Sequence, residues 1–152
     1  MFLLLLTTMF AAGLSVSRPT VKDCGGGRTL FTVNAVSLIP DIPVPNENVI
    51  LHLEYTVPSG VVITGGESKF SYTYNFFPMS PAIEPLCRNV PCPLRPGKYV
   101  NNTVSRWPSG LVGSFTSTLQ WKDETASPLL CVSIIGYCKR ITPPDSVYLY
   151  SS

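Results

Sequence analysis

The positions of five cysteines constrain this 152-residue chain more than any other feature. Cys24 follows a hydrophobic leader, Cys87 and Cys92 enclose a short loop, and Cys131 and Cys138 lie near the carboxyl terminus. In a reducing compartment such cysteines would suggest metal binding or redox chemistry, whereas in an oxidising compartment they pair as disulfides. The nature of the leader therefore decides how the cysteines are interpreted.

Residues 1–17 have the pattern of a secretory signal peptide. The apolar run begins at Phe2 and ends before the polar pair Ser17 and Arg18. It is shorter than the roughly 20 apolar residues that a membrane-spanning helix needs. Cleavage after Gly13 and cleavage after Ser17 would both leave small residues at the recognition positions. We therefore expect a secreted or luminal protein whose cysteines form disulfides.

The remaining sequence suits one domain with its own core, which we place at residues 18–140, followed by a tail at 141–152. Only 13% of the residues are charged, and the formal net charge is +2 without any basic cluster. This composition argues against binding to nucleic acid. Contact with a membrane would have to rest on apolar groups.

Apolar and polar residues alternate in short runs separated by Pro, Gly and Asn, and this pattern predicts an all-β fold. In one such run Leu51, Leu53 and Tyr55 share a face, while His52 and Glu54 share the other. The candidate strands cover residues 30–38, 49–57, 60–64, 69–77, 99–104, 114–121 and 129–135. About seven strands are typical of an immunoglobulin-like sandwich of two sheets.

The aromatic residues on these strands would ordinarily fill the interior of such a sandwich. The segment 76–87 departs from this pattern, because it places apolar residues within the proline-rich connection 78–96. The main core is not guaranteed to cover residues in such a loop. A bound lipid is one candidate for covering them.

Several short motifs follow one another along the chain with a characteristic order and spacing. In chain order they are Asp23-Cys24-Gly25, Cys87-Arg88-Asn89-Val90-Pro91-Cys92-Pro93-Leu94, Gly97-Lys98-Tyr99, Leu119-Gln120-Trp121-Lys122-Asp123 and Leu130-Cys131-Val132. Together they resemble the ML lipid-recognition domain over residues 23–135. Members of that family include the lysosomal sterol carrier lost in one form of Niemann-Pick type C disease, and phosphatidylglycerol/phosphatidylinositol transfer proteins.

The resemblance implies an immunoglobulin-like β-sandwich whose two sheets are splayed, so that a lipid enters a cavity between them. It implies a phospholipid or sterol as ligand, transient contact with membrane surfaces, and no cofactor. It also implies secretion or residence in the lumen of the endolysosomal or vacuolar system.

The family pattern further implies two disulfides, one joining Cys24 to Cys131 and the other joining Cys87 to Cys92. Cys138 then lies outside the pattern, beyond the family's usual last strand. We expect it to be a free thiol or to form a disulfide with another protein.

The mouth of the cavity, carried over from the family, lies beside the proline-rich loop and the segment after the Gly-Lys-Tyr motif. We expect the rim to be formed by Phe77, Met79, Trp107 and Leu111. The candidate wall residues are Phe70, Tyr72, Tyr74, Phe115 and Leu119. Methionine adapts to varied shapes, so Met79 favours a loosely specified acyl chain over a rigid sterol.

Catalysis finds little support in the sequence. His52 is the only histidine, and it lies on the polar face of a predicted strand. There is no Gly-x-Ser-x-Gly motif, and the acidic residues form no obvious catalytic pair. A zinc site would need ligands that the disulfides have consumed. We therefore expect neither enzymatic activity nor a bound metal.

The sequence Asn101-Asn102-Thr103 makes Asn101 an acceptor for N-glycosylation. A glycan there would hold that edge of the domain in solvent.

Three hypotheses follow from the sequence. The first is a non-enzymatic carrier that moves a phospholipid or sterol between membranes. The second is a secreted recognition module that presents lipid to a receptor. The third is a plain immunoglobulin-like interaction domain with a filled core.

Overall fold

The structure is a computed structural model that describes residues 14–140. The expected tail and residues 1–13 of the expected signal peptide lie outside the described residues. Within them, the chain forms β1 (Leu14–Val16), β2 (Thr20–Asp23), β3 (Thr32–Ile39), β4 (Asn48–Val57), β5 (Glu67–Tyr74), β6 (Phe77–Pro78), β7 (Ala82–Pro85), a short 3-10 helix (Leu86–Arg88), β8 (Gly97–Arg106), β9 (Gly113–Lys122) and β10 (Pro128–Arg140). This part of the chain has no helix long and apolar enough to cross a membrane.

The strands form two antiparallel sheets. The larger sheet has the order β1-β10-β9-β5-β6, with β2 also paired to β10 and β7 also paired to β5. The smaller sheet has the order β3-β4-β8. Inward residues of both sheets, such as Leu53 on β4 and Leu119 on β9, belong to one hydrophobic core. The all-β, two-sheet fold expected from the alternating pattern is therefore confirmed.

An aromatic cluster fills one end of the sandwich. Tyr55 stacks between Phe31 and Tyr99, with ring centroids 5.6 Å and 5.5 Å away, and it meets the edge of Trp121 at 5.2 Å. Aromatic pairs at these separations stabilise a core beyond the area that they bury. This end of the sandwich is closed by side chains.

The prediction of a strand at 60–64 is wrong. This stretch instead forms one isolated bridge, between Ile63 and Leu94. Gly60 adopts a φ of 78°, which turns the chain out of an extended path. The proline-rich connection contains β7 and the 3-10 helix, which are too short to leave a periodic signal.

The last strand is longer than expected, running to Arg140 instead of ending at Ile135. Its final residues are paired to β1, with Val16 opposite Cys138. Cys138 therefore lies within the last strand and not beyond it. β1 itself falls inside the expected signal peptide, so cleavage after Gly13 would retain this strand and cleavage after Ser17 would remove it.

Two disulfides join the pairs that the family resemblance implied. Cys24 is bonded to Cys131 across 107 residues, and Cys87 is bonded to Cys92 across 5 residues. The first bond ties the segment after β2 to the middle of β10, where the Cys24 N–H also donates to the Cys131 carbonyl at 3.0 Å. The second closes the loop that contains the 3-10 helix.

Candidate functional site

A cavity of about 140 Å³ lies between the two sheets, at the end away from the aromatic cluster. Strand β4 runs from the cavity at one end of the sandwich to the aromatic cluster at the other. Val49 and Leu51 line the cavity, whereas Tyr55 belongs to the aromatic cluster. Strand alternation explains the wall on β9, because Phe115, Ser117 and Leu119 occupy every second position and so face the same side.

Five of the nine lipid-site residues expected from the sequence line this cavity. They are Phe70, Tyr72, Trp107, Phe115 and Leu119. Sequence reasoning missed the walls contributed by β3, β4, β8 and β10. The residues that supply these walls are Leu38, Val49, Leu51, Thr103, Ser105, Arg106, Val132 and Ile134, with Pro108 and Ser117 elsewhere in the lining. The same period-two alternation that located β4 could have identified Val49 and Leu51.

Trp107 is a wall residue and not the rim residue that the sequence suggested. Only 4% of its surface is exposed, and its ring meets Phe115 edge-on with centroids 4.9 Å apart. The backbone turns it inward, since the Trp107 N–H donates to the Glu47 carbonyl at 2.8 Å and its carbonyl accepts from the Asn46 N–H at 3.0 Å. The Trp107–Phe115 contact therefore bridges the two sides of the cavity.

Three other residues expected at the rim or mouth do not line the cavity. Phe77 and Met79 are 76% and 60% exposed and lie on or next to β6, while Leu111 is half-buried in the segment before β9. The Met79 N–H nevertheless donates to the carbonyl of Tyr72 at 2.8 Å. The exposed apolar residues of the β5–β6 hairpin therefore lie next to the cavity, outside its lining.

The mouth is formed by the lining residues that are themselves exposed: Tyr72, Ser105, Arg106 and Pro108. Ser105 and Arg106 end β8, which is an edge strand of the smaller sheet. Tyr72 lies on β5, beyond which the larger sheet has only the short strands β6 and β7. The opening therefore lies where an edge of one sheet faces the margin of the other.

Tyr74 holds the segment between β8 and β9 in place without lining the cavity. Its hydroxyl donates to the Val112 carbonyl at 2.6 Å and accepts from the Val112 N–H at 3.0 Å. The neighbouring Asn75 side-chain oxygen accepts from the Ser114 N–H at 2.9 Å. Because this segment begins with Trp107, these bonds help to fix one border of the cavity.

The Cys138 thiol lies near the Trp107 indole and is buried, with 2% of the residue exposed. Burial raises the pKa of the thiol, and the Trp107 indole opposes that rise in part. A raised pKa keeps the group protonated and weakly reactive at neutral pH. A disulfide between Cys138 and another protein would require the end of β10 to open.

The side chain of Asn101 is already used within the fold. It is half-buried on β8, and its amide nitrogen donates to the Asn89 carbonyl at 3.1 Å. Attachment of a glycan to that nitrogen would disturb this hydrogen bond. Glycosylation of Asn101 remains a prediction.

His52 lies on the outer face of the smaller sheet, away from the cavity. Its Nδ1 lies 2.8 Å from the Asn102 side-chain oxygen, and its Nε2 lies 3.1 Å from a Glu54 carboxylate oxygen. Two acceptors favour the doubly protonated ring, so the hydrogen bond to Asn102, followed by that to Glu54, raises the pKa of His52. The stabilisation from this raised pKa is complete below the ordinary value of 6.5 and is lost as pH rises through the folded-state pKa.

We expect the substitution His52→Gln to lower the free energy of unfolding slightly in acid and hardly at all in alkali. Thermal unfolding of both proteins at about pH 5 and about pH 9, either side of the ordinary histidine pKa, measures this difference. The difference is expected to be small, because exposed pairs contribute little. An equal difference at both pH values would show that the imidazolium contributes nothing.

No group of three or more His, Cys, Asp or Glu side chains is placed to hold a metal ion within residues 14–140. Among the cavity-lining residues, Tyr72, Thr103, Ser105 and Ser117 carry hydroxyl groups, and most of the others are apolar.

Comparison with known proteins places the fold and the cavity in a family context. The sequence pattern of the ML domain matches residues 19–135, a range that contains every cavity-lining residue. Among curated proteins, none is significantly similar in sequence to this chain. A Niemann-Pick type C2 protein from Japanese carpenter ant has a similar structure, with a TM-score of 0.54 and 13% identity over 81% of this chain and 99% of that one. Chicken MD-1 complexed with lipid IVa has a TM-score of 0.50 and 11% identity over 84% of this chain and 98% of that one.

Proposed function

Since the chain belongs to the ML-domain family, we propose that it is a non-enzymatic lipid carrier, which holds a phospholipid or sterol between its sheets and transfers it between membranes. The observation that carries this proposal is the mostly apolar cavity that opens between the margins of the two sheets. Two disulfides favour an oxidising compartment as the place of action, outside the cell or in an organelle lumen.

The hydrophobic effect is sufficient to hold such a ligand. Removing apolar surface from water contributes about 25 cal/mol per Å², so burying about 300 Å² of an acyl chain contributes roughly 7 kcal/mol before the cost of immobilising it. The bilayer and the cavity are similarly apolar environments for the chain. The carrier therefore needs no energy source and moves lipid in the direction of its gradient.

The cavity must enlarge to accept a whole lipid chain. Its volume of about 140 Å³ lies below the range of about 300–1,000 Å³ that is usual for ligand pockets. The contacts that span it are between side chains, above all that of Trp107 with Phe115. Within residues 14–140 no strand joins β5 to β8, so the sheets can separate at this margin without breaking backbone hydrogen bonds between these strands.

The β5–β6 hairpin provides a surface for membrane contact beside the mouth. Asn75 and Phe76 form its two-residue turn with positive φ values of 45° and 70°. Such a turn normally has glycine at the second position, and a bulky residue there is strained. The turn instead holds Phe76 90% exposed beside Phe77. Aromatic side chains are favoured at the membrane interface, and strained turns often occur at functional sites. Membrane contact through Phe76 and Phe77 would account for the strain of this turn.

Transfer of a fluorescent phospholipid or sterol between vesicles tests the carrier function directly. We expect the full chain to accelerate transfer in both directions, according to the gradient, and to do so in the presence of a chelator. Recovery of intact lipid from the purified protein by mass spectrometry would identify the ligand. Release of a hydrolysed lipid, or loss of transfer with chelator, would contradict the proposal.

Replacing Phe76 and Phe77 together by aspartate is expected to slow transfer at least about tenfold, because two interfacial aromatics are lost and charges are placed against the bilayer. Binding of a monomeric lipid in solution should be unchanged, since neither residue lines the cavity. The matched control is Val100→Asp with Val104→Asp, which changes two residues that are 62% and 61% exposed on β8. Equal slowing by both pairs would show that the hairpin is not the docking surface.

Presentation of a bound lipid to a receptor is the second candidate function. It is favoured by the similarity in fold to chicken MD-1, whose structure contains lipid IVa. A chain that binds lipid tightly but does not accelerate transfer between vesicles would support presentation over transport.

A further inference from the structure

We propose that Gly136 is a positioning residue for the lipid cavity, because it lets the ring of Phe115 lie against the neighbouring strand and so keeps that ring from filling the cavity. This inference rests on the proposed lipid-binding function and adds a residue to that site. Gly136 lies on β10 directly opposite Phe115 on β9, and both strands belong to the larger sheet. Phe115 lines the cavity, whereas Gly136 does not.

The ring of Phe115 occupies the space that a side chain at position 136 would need. A β-carbon built on Gly136 would lie 2.5 Å from the Cε1 atom of Phe115 and would overlap the Cζ atom as well. Packed carbon atoms are normally about 3.5–4.0 Å apart. Any other residue at position 136 would therefore force the ring to move.

The backbone of β10 does not itself require a glycine here. The φ of Gly136 lies outside the left-handed region that favours glycine. The pairing of β10 with β9 is also regular around this residue, so the glycine does not mark a bulge. Glycine inside a strand weakens the strand and otherwise marks the close approach of another group. The approach of the Phe115 ring therefore accounts for Gly136.

The cavity is the space into which a displaced ring would turn. Trp107 blocks one direction, since its ring meets that of Phe115 edge-on with centroids 4.9 Å apart. Tyr74 lies opposite Phe115 on β5, and two hydrogen bonds to Val112 hold its hydroxyl in place. Because the cavity has a volume of only about 140 Å³, a phenyl ring inside it would leave little room for an acyl chain.

The contact between Phe115 and Gly136 does not depend on how far the two sheets are apart. Both residues lie in the larger sheet, so the contact can persist when the sheets separate to admit a lipid. Trp107 follows β8 of the smaller sheet, so its contact with Phe115 loosens in that movement. Gly136 is therefore the neighbour that holds the ring aside in both the empty and the lipid-bound protein.

The substitution Gly136→Ala tests this role. The probes are a short-chain lysophosphatidylcholine and cholesterol sulfate, both kept monomeric, and isothermal titration calorimetry measures their affinities. We expect Gly136→Ala to lower the affinity for the probe that binds by about tenfold, because the displaced ring takes the place of the ligand's apolar contacts.

A second substitution separates the ring from other effects of the added methyl group. Leucine at position 115 lacks the ring carbons that approach Gly136, so Phe115→Leu should still bind lipid. Adding Gly136→Ala to Phe115→Leu should lower affinity by no more than about twofold, since the effects of residues in contact are not additive. Ile135→Val is the matched control, because it changes one methyl group on the opposite, partly exposed face of β10.

The outcomes separate this inference from the proposed function. If the unsubstituted protein binds neither probe, lipid binding itself is contradicted. If Gly136→Ala binds normally, or if it lowers affinity equally with Phe and with Leu at position 115, then lipid binding stands and the role of Gly136 is overturned.

Thermal unfolding checks that each variant is folded. Should Gly136→Ala alone fail to fold, the double variant decides. A double variant that folds and binds lipid supports the role of Gly136, whereas a double variant that also fails to fold shows that the glycine serves the backbone and overturns that role.

Discussion

Filling the cavity by Ser117→Phe is expected to abolish lipid binding while the protein remains folded. Ser117 lies in the wall between Phe115 and Leu119, and its neighbours across the sheet are Tyr72 and Ile134. A phenyl ring at this position would occupy much of the 140 Å³ that an acyl chain has to enter. We expect the affinity for a monomeric lipid probe to fall by more than tenfold, since the chain loses most of its apolar contact.

Loss of lipid binding by Ser117→Phe supports the cavity as the lipid site only if the variant is still stably folded. Inserting a large side chain into a well-packed core costs about 1–3 kcal/mol, whereas insertion into an existing cavity should cost little. The matched control is Thr116→Phe, on the opposite face of the same strand, which should leave binding unchanged. Urea unfolding gives the free energies of unfolding of the unsubstituted protein, Ser117→Phe and Thr116→Phe. A stable Ser117→Phe protein that binds lipid normally would show that the ligand lies elsewhere.

The sequence is sufficient to predict the parts of the fold that depend on local pattern. Strands such as β4 bury one face, so the alternation around Leu51 and Leu53 locates them. The disulfides could be predicted because the family resemblance supplied the pairing of Cys24 and Cys87 with their partners. The short strand β6 could not be predicted, since two residues, one of them a proline, carry no periodicity.

Features that depend on contacts distant in sequence could not be predicted. Trp107 is one residue beyond β8, and it is held by backbone hydrogen bonds to Asn46 and Glu47 and by the contact of its ring with Phe115. Cys138 lies in a paired part of β10, where its partner strand β1 is more than 100 residues away in sequence. The mouth at Tyr72 and Arg106 depends on which margins of the two sheets face each other. None of these arrangements leaves a pattern in a single stretch of residues.

Loss of the Cys24–Cys131 disulfide should destabilise the protein far more than loss of the Cys87–Cys92 disulfide. A cross-link stabilises by restricting the unfolded chain, and its effect grows with the length of the loop that it closes. The sequence separations are 107 and 5 residues. By chain entropy the long loop corresponds to about 4.7 kcal/mol and the short one to about 2 kcal/mol.

The experiment compares Cys24→Ser with Cys131→Ser, as a double variant, against Cys87→Ser with Cys92→Ser by urea unfolding. The buried Cys138 thiol is not expected to form a new bond in either native protein, because it is 2% exposed. The first variant also removes the covalent link between the segment that follows β2 and β10, which are then joined only by backbone hydrogen bonds such as those of Thr20–Asp23 and Phe31. We therefore expect its free energy of unfolding to fall by about 2.7 kcal/mol more than that of the second variant. Equal losses would show that these bonds stabilise the folded state locally, and that restriction of the unfolded chain contributes little.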